Sequence, residues 1–292
     1  MTQQHETPFN VLTHADGVPI SGLTRFPSGS FEGRPLIIAI HGGTYRSSYF
    51  DISGYSLLDR AQANGIPIVA IDRLGYGASS AFATPQTTIQ VNAELLSLAI
   101  EAIWHTHHNG ARGVVLIGHS IGGAVATAIA ALHPKWPLLG LAISGIGLEP
   151  VQESKDNWAT LPDLPLIEVP SEVMDNFCFG PPSTYDQRVM PLASHAANAP
   201  SPRSELIDIV GGWPEQVKAL ASRVSVPVHY RQPEFEKLWV VDDEQIQRFA
   251  AAFTQAPSVD ANWCKDAGHC IDFHHAGEAF QLEQLAFALR CK

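Results

Sequence analysis

The stretch "LIGHSIGG", residues 116–123, is an apolar approach to a serine set among three glycines. Glycine weakens strands and helices alike, so crowding Gly118, Gly122 and Gly123 around one hydroxyl needs a reason. The residues that lead into it, "RGVVLIGHS", form the continuous apolar run of a strand buried on both faces, and those that follow are alanine-rich and read as helix. A strand that passes directly into a helix through G-x-S-x-G forces the serine into a strained backbone conformation, and only glycines leave room for the neighbouring strand and helix. Such a turn lifts the hydroxyl above the sheet edge, within reach of an imidazole, and aims the next amide at the same spot. Ser120 is therefore the candidate nucleophile. A plain helix N-cap is the competing reading.

Outward from this turn the pattern repeats. "RPLIIAIHGG" (34–43) and "GIPIVAIDRLGYG" (65–77) are apolar runs ended by glycine, with helical spacing over 51–64 between them and a long amphipathic stretch over 87–108 after them. Residues 138–144 read as a further strand, and 9–26 as a β-hairpin that turns at Ala15, Asp16 and Gly17. Alternating strands and helices predict an α/β fold, a mainly parallel sheet flanked by helices. The rhythm breaks over 148–225, which is rich in proline and aromatics and has short helical pieces such as 215–223. This segment reads as a mostly helical cap inserted into a core made of residues 1–147 and 226–292. The alternation resumes with "VPVHYRQ", a helix over 242–255, the strand "SVDANWCKD" and a last helix over 275–290.

Composition narrows the function classes. In 292 residues, 45% hydrophobic and 16% charged, there is ample material for a core. The net charge of −11 comes without a basic stripe, which disfavours nucleic acid and anionic membrane surfaces. The opening "MTQQHETPFN" lacks the basic start and apolar run of a secretory leader, and nowhere are there the roughly 18 uninterrupted apolar residues of a membrane span. The expectation is a cytoplasmic protein with free thiols at Cys178, Cys264, Cys270 and Cys291, the pair Cys264 and Cys270 being close enough in sequence to check. Its expected partner is a small-molecule substrate, with a homodimer left open, and no cofactor or metal is called for.

A serine nucleophile at neutral pH needs a base, and the chain has 13 histidines. His269, in "DAGHCID", follows the last strand at the sheet edge where such folds gather function. His119 adjoins the serine and is expected to point away from it, while His41 is expected to pack or hydrogen-bond in the turn after its strand. His105, His107 and His108 close a long helix, where imidazoles meet the terminal carbonyls rather than a metal. His274 and His275 open the last helix in structural roles. The base in turn needs a carboxylate to fix its tautomer. Glu236, in "RQPEFEKLW", lies after a strand and before His269 and is preferred, with Glu149, Glu234, Asp242 and Asp243 as alternatives. Asp242 with Gln245 also reads as a helix N-cap. The amide of Ile121 and that of Gly43, in the glycine turn "HGGTY", are the candidate oxyanion donors, with Thr44 the alternative one residue on.

Taken together, "IIAIHGGTY", "VAIDRLGYGAS", "GHSIGGAVA", "EFEKLW" and "DAGHCID" resemble the α/β-hydrolase superfamily over about 35–145 and 226–291. The insertion resembles the superfamily's cap domains in position only. The resemblance implies Ser120 as nucleophile, His269 as general base, Glu236 as orienting acid, and Gly43 with Ile121 as oxyanion donors. Glu236 stands where the family usually has aspartate, and Leu74 where it usually has proline. Asp72 is implied to be structural. A serine at the elbow argues against the dehalogenases and epoxide hydrolases of that superfamily, which carry aspartate there. Esterase, lactonase, thioesterase, amidase and carbon-carbon hydrolase or lyase chemistry remain, as does a binding protein with negligible turnover.

The insertion also carries Trp158, Met174, Phe177, Phe179, Tyr185, Met190 and Trp213. Trp158, Phe177, Phe179 and Trp213, with Tyr45 and Tyr49 beyond the glycine turn, are the candidates to line an apolar substrate pocket; a small core of the cap's own is the alternative. The expected substrate is a neutral, hydrophobic ester or lactone.

Overall fold

A computed structural model describes residues 10–292, so the N-terminal stretch read for a leader, and Phe9 of the hairpin, lie outside the described residues. The chain opens on β1 (Val11–Ala15) and β2 (Val18–Arg25), paired antiparallel. Asp16 and Gly17 between them both have positive φ, at 47° and 80°, as a twisted two-residue hairpin requires. Then come β3 (Leu36–Ile40), α1 (Leu57–Ala63), β4 (Ile68–Ile71), α2 (Ile89–His107), β5 (Val114–His119), α3 (Ile121–Ala131) and β6 (Leu138–Ser144). The inserted segment contributes α4 (Gln152–Ala159), β7 (Leu166–Ile167), α5 (Ser171–Cys178), β8 (Ser201–Pro202), α6 (Arg203–Val210) and α7 (Gly212–Ala221). The chain closes with β9 (Val228–Phe235), α8 (Asp243–Ala252), β10 (Val259–Gly268) and α9 (Gly277–Arg290).

Eight strands form one sheet in the order β1-β2-β4-β3-β5-β6-β9-β10, parallel from β4 onward. Its central strands β3 and β4 are apolar throughout because both faces are covered there. Leu36, Ile38 and Ile40 of β3 enter one core cluster with residues of α2, α3, α7 and α8, whereas Ile37 and Ala39 enter the other with residues of α1 and α9. Each fully buried aliphatic side chain contributes roughly 1.5–3 kcal/mol. The chain steps from β3 to β4 on one side and returns to β5 on the other, so the carboxyl ends of β3 and β5 flank the switch point where open α/β sheets bind ligands.

Two elements differ from the sequence reading. The helix expected over 51–64 starts only at Leu57, because Gly54 sits at φ +82°, Asp51 is drawn into an ion pair with Arg25 at 2.9 Å, and Ser56 caps the helix by accepting from the Asp59 amide. The helical piece expected over 215–223 runs instead over Gly212–Ala221 as α7, and it packs against α3, α6 and α8. No helix among the described residues is long and apolar enough to cross a membrane, and all four cysteines are free.

Candidate active site

The serine sits at φ 53°, ψ −124° between β5 and α3, a conformation L-residues adopt only where the surroundings over-determine it. Two close approaches hold it there: a Cβ on Gly122 would overlap the carbonyls of Ile40 and His41 at the end of β3, and one on Gly118 would overlap the backbone of Gly122 and Gly123. Ser120 makes no side-chain cap to its helix. Among the described residues its hydroxyl has no hydrogen-bond partner, and the residue, 8% exposed, opens on a cavity. The N-cap reading has therefore lost its defining contact.

His269 reaches the same cavity directly after β10, whose end pairs irregularly with β9 between Cys264 and Gly268, where Asp266 turns at φ 55°. Its Nδ1 lies 2.8 Å from Glu236 Oε2, with both side chains buried. A carboxylate only accepts, so Nδ1 carries the proton and Nε2 of the neutral ring is left with its lone pair. Oε1 of Glu236 accepts from the amides of Lys237 at 3.0 Å and Leu238 at 2.8 Å, which fixes the carboxylate. The other acids are engaged elsewhere: Glu234 with Lys265 and the Asp266 amide, Glu149 with Arg248, Asp242 as the cap of α8, and Asp243 with the Trp263 indole. No hydrogen bond closes between Ser120 and His269, a contact that in such sites often tightens only in the substrate complex.

Burial lowers the basicity of His269, but the charge and hydrogen bond of Glu236 outweigh it and raise the ring above its ordinary value of 6.5. The nearby imidazoles go the other way. Burial, then Arg73, takes His41 well below that value; burial, then His269 and His41, does the same to His119. Burial brings His274 to about 4. His269 is thus the one imidazole of this group whose basicity is raised rather than lowered.

The glycine turn after β3 faces the elbow. The amides of Gly43 and Ile121 donate to no protein group among the described residues, whereas the amide of Thr44 is taken by Ser201 Oγ at 2.7 Å. The turn is braced from behind. Buried Arg73 donates to the carbonyls of His41 at 2.9 Å and Gly42 at 3.0 Å, and pairs with buried Glu205 of α6. His41 Nδ1 donates to Gly42 O and Nε2 accepts from the Arg73 amide. Asp72 accepts from Ser21 and from the Ser47 amide, a structural role.

The six aromatic candidates divide evenly. Tyr45, Trp158 and Phe177 line the cavity. Tyr49, Phe179 and Trp213 do not, which corrects the expectation for all three. Tyr49 is stacked on His119 at 5.0 Å and donates to Asp272 at 2.8 Å; Phe179 packs on Tyr185 and Phe273; Trp213, 1% exposed, donates from Nε1 to Gly147 O at 2.9 Å inside the core of α7. His119 does not turn away from the serine: it lines the cavity, 4.9 Å from the His269 ring. The distal histidines pack on aromatics, His107 on Phe26 and His108 on Trp104. His274 accepts from the Gly180 and Gly268 amides at 3.1 and 3.0 Å, pinning the His269 loop to the inserted segment. Sequence reading missed Ser154, Leu206 and Trp239 of the cavity wall. Only the quoted "EFEKLW" carried a signal for one of them.

A sequence model of the alpha/beta hydrolase family matches residues 37–281. Over 131 residues the chain is 28% identical to a 1-acylglycerol-3-phosphate O-acyltransferase of Arabidopsis thaliana, a match covering 44% of this chain and 29% of that protein. Over 118 residues it is 30% identical to protein phosphatase methylesterase 1 of Mus musculus, covering 40% and 28%. These matches span under a third of the length of either relative. A thermophilic esterase from Thermogutta terrifontis superposes with a TM-score of 0.67 over 96% of this chain and 97% of that one, at 18% identity, a likeness of fold.

Proposed function

The chain belongs to the alpha/beta hydrolase family, and on that premise we propose that it is a serine hydrolase cleaving a neutral, apolar carboxylic ester or lactone through an acyl-enzyme on Ser120. One observation carries the reading: the buried pair of His269 Nδ1 and Glu236 at 2.8 Å, whose histidine lines the cavity onto which Ser120 opens. In this mechanism Ser120 Oγ attacks the carbonyl carbon while Nε2 of His269 takes its proton. The imidazolium, stabilised by ionised Glu236, gives that proton to the departing alkoxide oxygen. Water then attacks the acyl-enzyme, losing a proton to His269, and the acid leaves as Ser120 regains it. Charge on the carbonyl oxygen falls to the unengaged amides of Gly43 and Ile121, each such donor typically worth about 3 kcal/mol.

The wall supports an uncharged substrate, since no Lys, Arg, Asp or Glu among the described residues lines the cavity. Val169, Met174, Leu206 and Ile209 make it apolar. The name of the murine relative, a methylesterase, favours esters.

The test is labelling with a fluorophosphonate, together with hydrolysis of 4-nitrophenyl esters from acetyl to decanoyl. The expected results are one adduct on Ser120, lost in Ser120→Ala, and faster turnover of medium acyl chains than of acetyl. No adduct and no turnover would transfer the chain to the ligand-binding alternative.

A further inference from the structure

Helix α4 has the sequence QESKDNWA, and its one fully buried residue is Ser154, 2% exposed. A helix that buries a single position ordinarily puts an apolar side chain there, and serine is the poorer helix former. The Ser154 hydroxyl is buried without a hydrogen-bond partner in the protein, although it lines the same cavity as Ser120 and His269. The other hydroxyls of that wall are accounted for: Thr44 donates to Gly43 O at 2.6 Å, Tyr45 receives the Cys270 thiol at 3.8 Å, and Ser120 is the nucleophile of the proposed reaction. Trp158, one helical turn beyond Ser154, lines the cavity too.

A buried hydroxyl with no partner is costly in an apolar wall, and the cost is removed when a ligand supplies the partner. We propose that Ser154 is a specificity-determining residue that receives one hydrogen-bonding oxygen, keto or hydroxy, carried on the otherwise apolar part of the substrate, away from the scissile carbonyl. The inference rests on the ester-hydrolase reading and deepens it: the preferred substrate is an oxygenated apolar ester, not a plain hydrocarbon one. Ser154 can donate to a ketone or accept from a hydroxyl.

The test uses two series on the full chain: 4-nitrophenyl octanoates bearing an oxo or hydroxy group at successive carbons, and octanoate esters of oxo- and hydroxy-alcohols, each against its unsubstituted parent. At one position kcat/KM should exceed that of the parent by roughly 3- to 10-fold, the loss expected of one neutral hydrogen bond, with the difference mainly in KM. In Ser154→Ala that ratio should fall to near one. A thermal melt supplies a readout independent of turnover: Ser154→Ala should keep or raise Tm, because no internal bond is lost. Plain esters cleaved with no preference at any position, a preference that survives Ser154→Ala, or a Tm lowered by several degrees would each overturn the inference while leaving the hydrolase reading standing. If no ester of either kind is cleaved, the hydrolase reading itself fails and this inference falls with it.

Discussion

Replacing Glu236 with glutamine changes almost no volume and yet should cost nearly the full contribution of the acid. The reason lies in the two amides of Lys237 and Leu238 that Oε1 accepts, at 3.0 and 2.8 Å. Donors on that side require the glutamine carbonyl to stay there, which turns its NH₂ toward His269 Nδ1. The imidazole must then accept at Nδ1 and carry its proton on Nε2, where it can no longer take the proton of Ser120. A wrong-tautomer defect of this kind is worth a fall in kcat of about 10³- to 10⁴-fold, about 4–5.5 kcal/mol of barrier. Glu236→Ala leaves both tautomers available, so glutamine should be no better than alanine despite its closer shape.

The pH profile separates this from simple loss of packing. His269 titrates above 6.5 because Glu236 outweighs burial, so the acid limb of kcat/KM in the native protein should lie above 6.5. Without the carboxylate, burial, the largest influence, is opposed only by Cys178, and in Glu236→Ala the limb should move down. His41, His119 and His274 are all held low by burial and should contribute no limb near neutrality. The stability contribution of the pair has the sign of a raised histidine: fully present below the unfolded value near 6.5 and lost as pH rises through the folded one. Stopped assays of kcat/KM from pH 4.5 to 9.5 decide the matter. An acid limb that stays in place when Glu236 is removed, or a glutamine variant within tenfold of native, would refute the assignment of Glu236 to His269.

Three further outcomes follow from the packing. Glu205→Ala strands the buried guanidinium of Arg73, which braces the glycine turn; breaking such a pair costs about 3–5 kcal/mol and should lower Tm by roughly 6–15 °C, and an unchanged melt would show that the pair is not formed. Trp213→Phe removes the bond to Gly147 O from the α7 core and should destabilise by about 1–2 kcal/mol while leaving kcat/KM within twofold, so a specific loss of turnover would return Trp213 to the pocket. His274, held at about 4 by burial, accepts two amides only while neutral. Its depressed value gives stability that is full above about 6.5 and lost as pH falls toward 4, roughly 3 kcal/mol in all, and denaturant titrations of His274→Gln should show a shallower decline over that window.

How much of this could be read from the sequence depends on whether local pattern or tertiary packing decides each residue. The strands were legible because "LIIAI" and "VVLIG" are unbroken runs without a polar side chain, which only a sheet covered on both faces demands. The elbow was legible because Gly118 and Gly122 answer a close approach between strand ends. Glu236 could be ranked but not separated from Glu234 two residues earlier, since both fall at the end of β9, and only the irregular pairing of β10 decides which carboxylate His269 meets. Aromatic residues were the least legible. Tyr45 and Tyr49 lie four apart in one turn, yet Tyr45 lines the cavity while Tyr49 is locked behind it by the ring of His119 and the carboxylate of Asp272, both distant in sequence. An aromatic side chain records that apolar area will be buried, not what it will be buried against. Ser154 shows the converse. In "QESKDNWA" nothing distinguishes it from its solvated neighbours, and its meaning arises only when α4 lies over the switch point and burial turns an ordinary hydroxyl into an unpaired one.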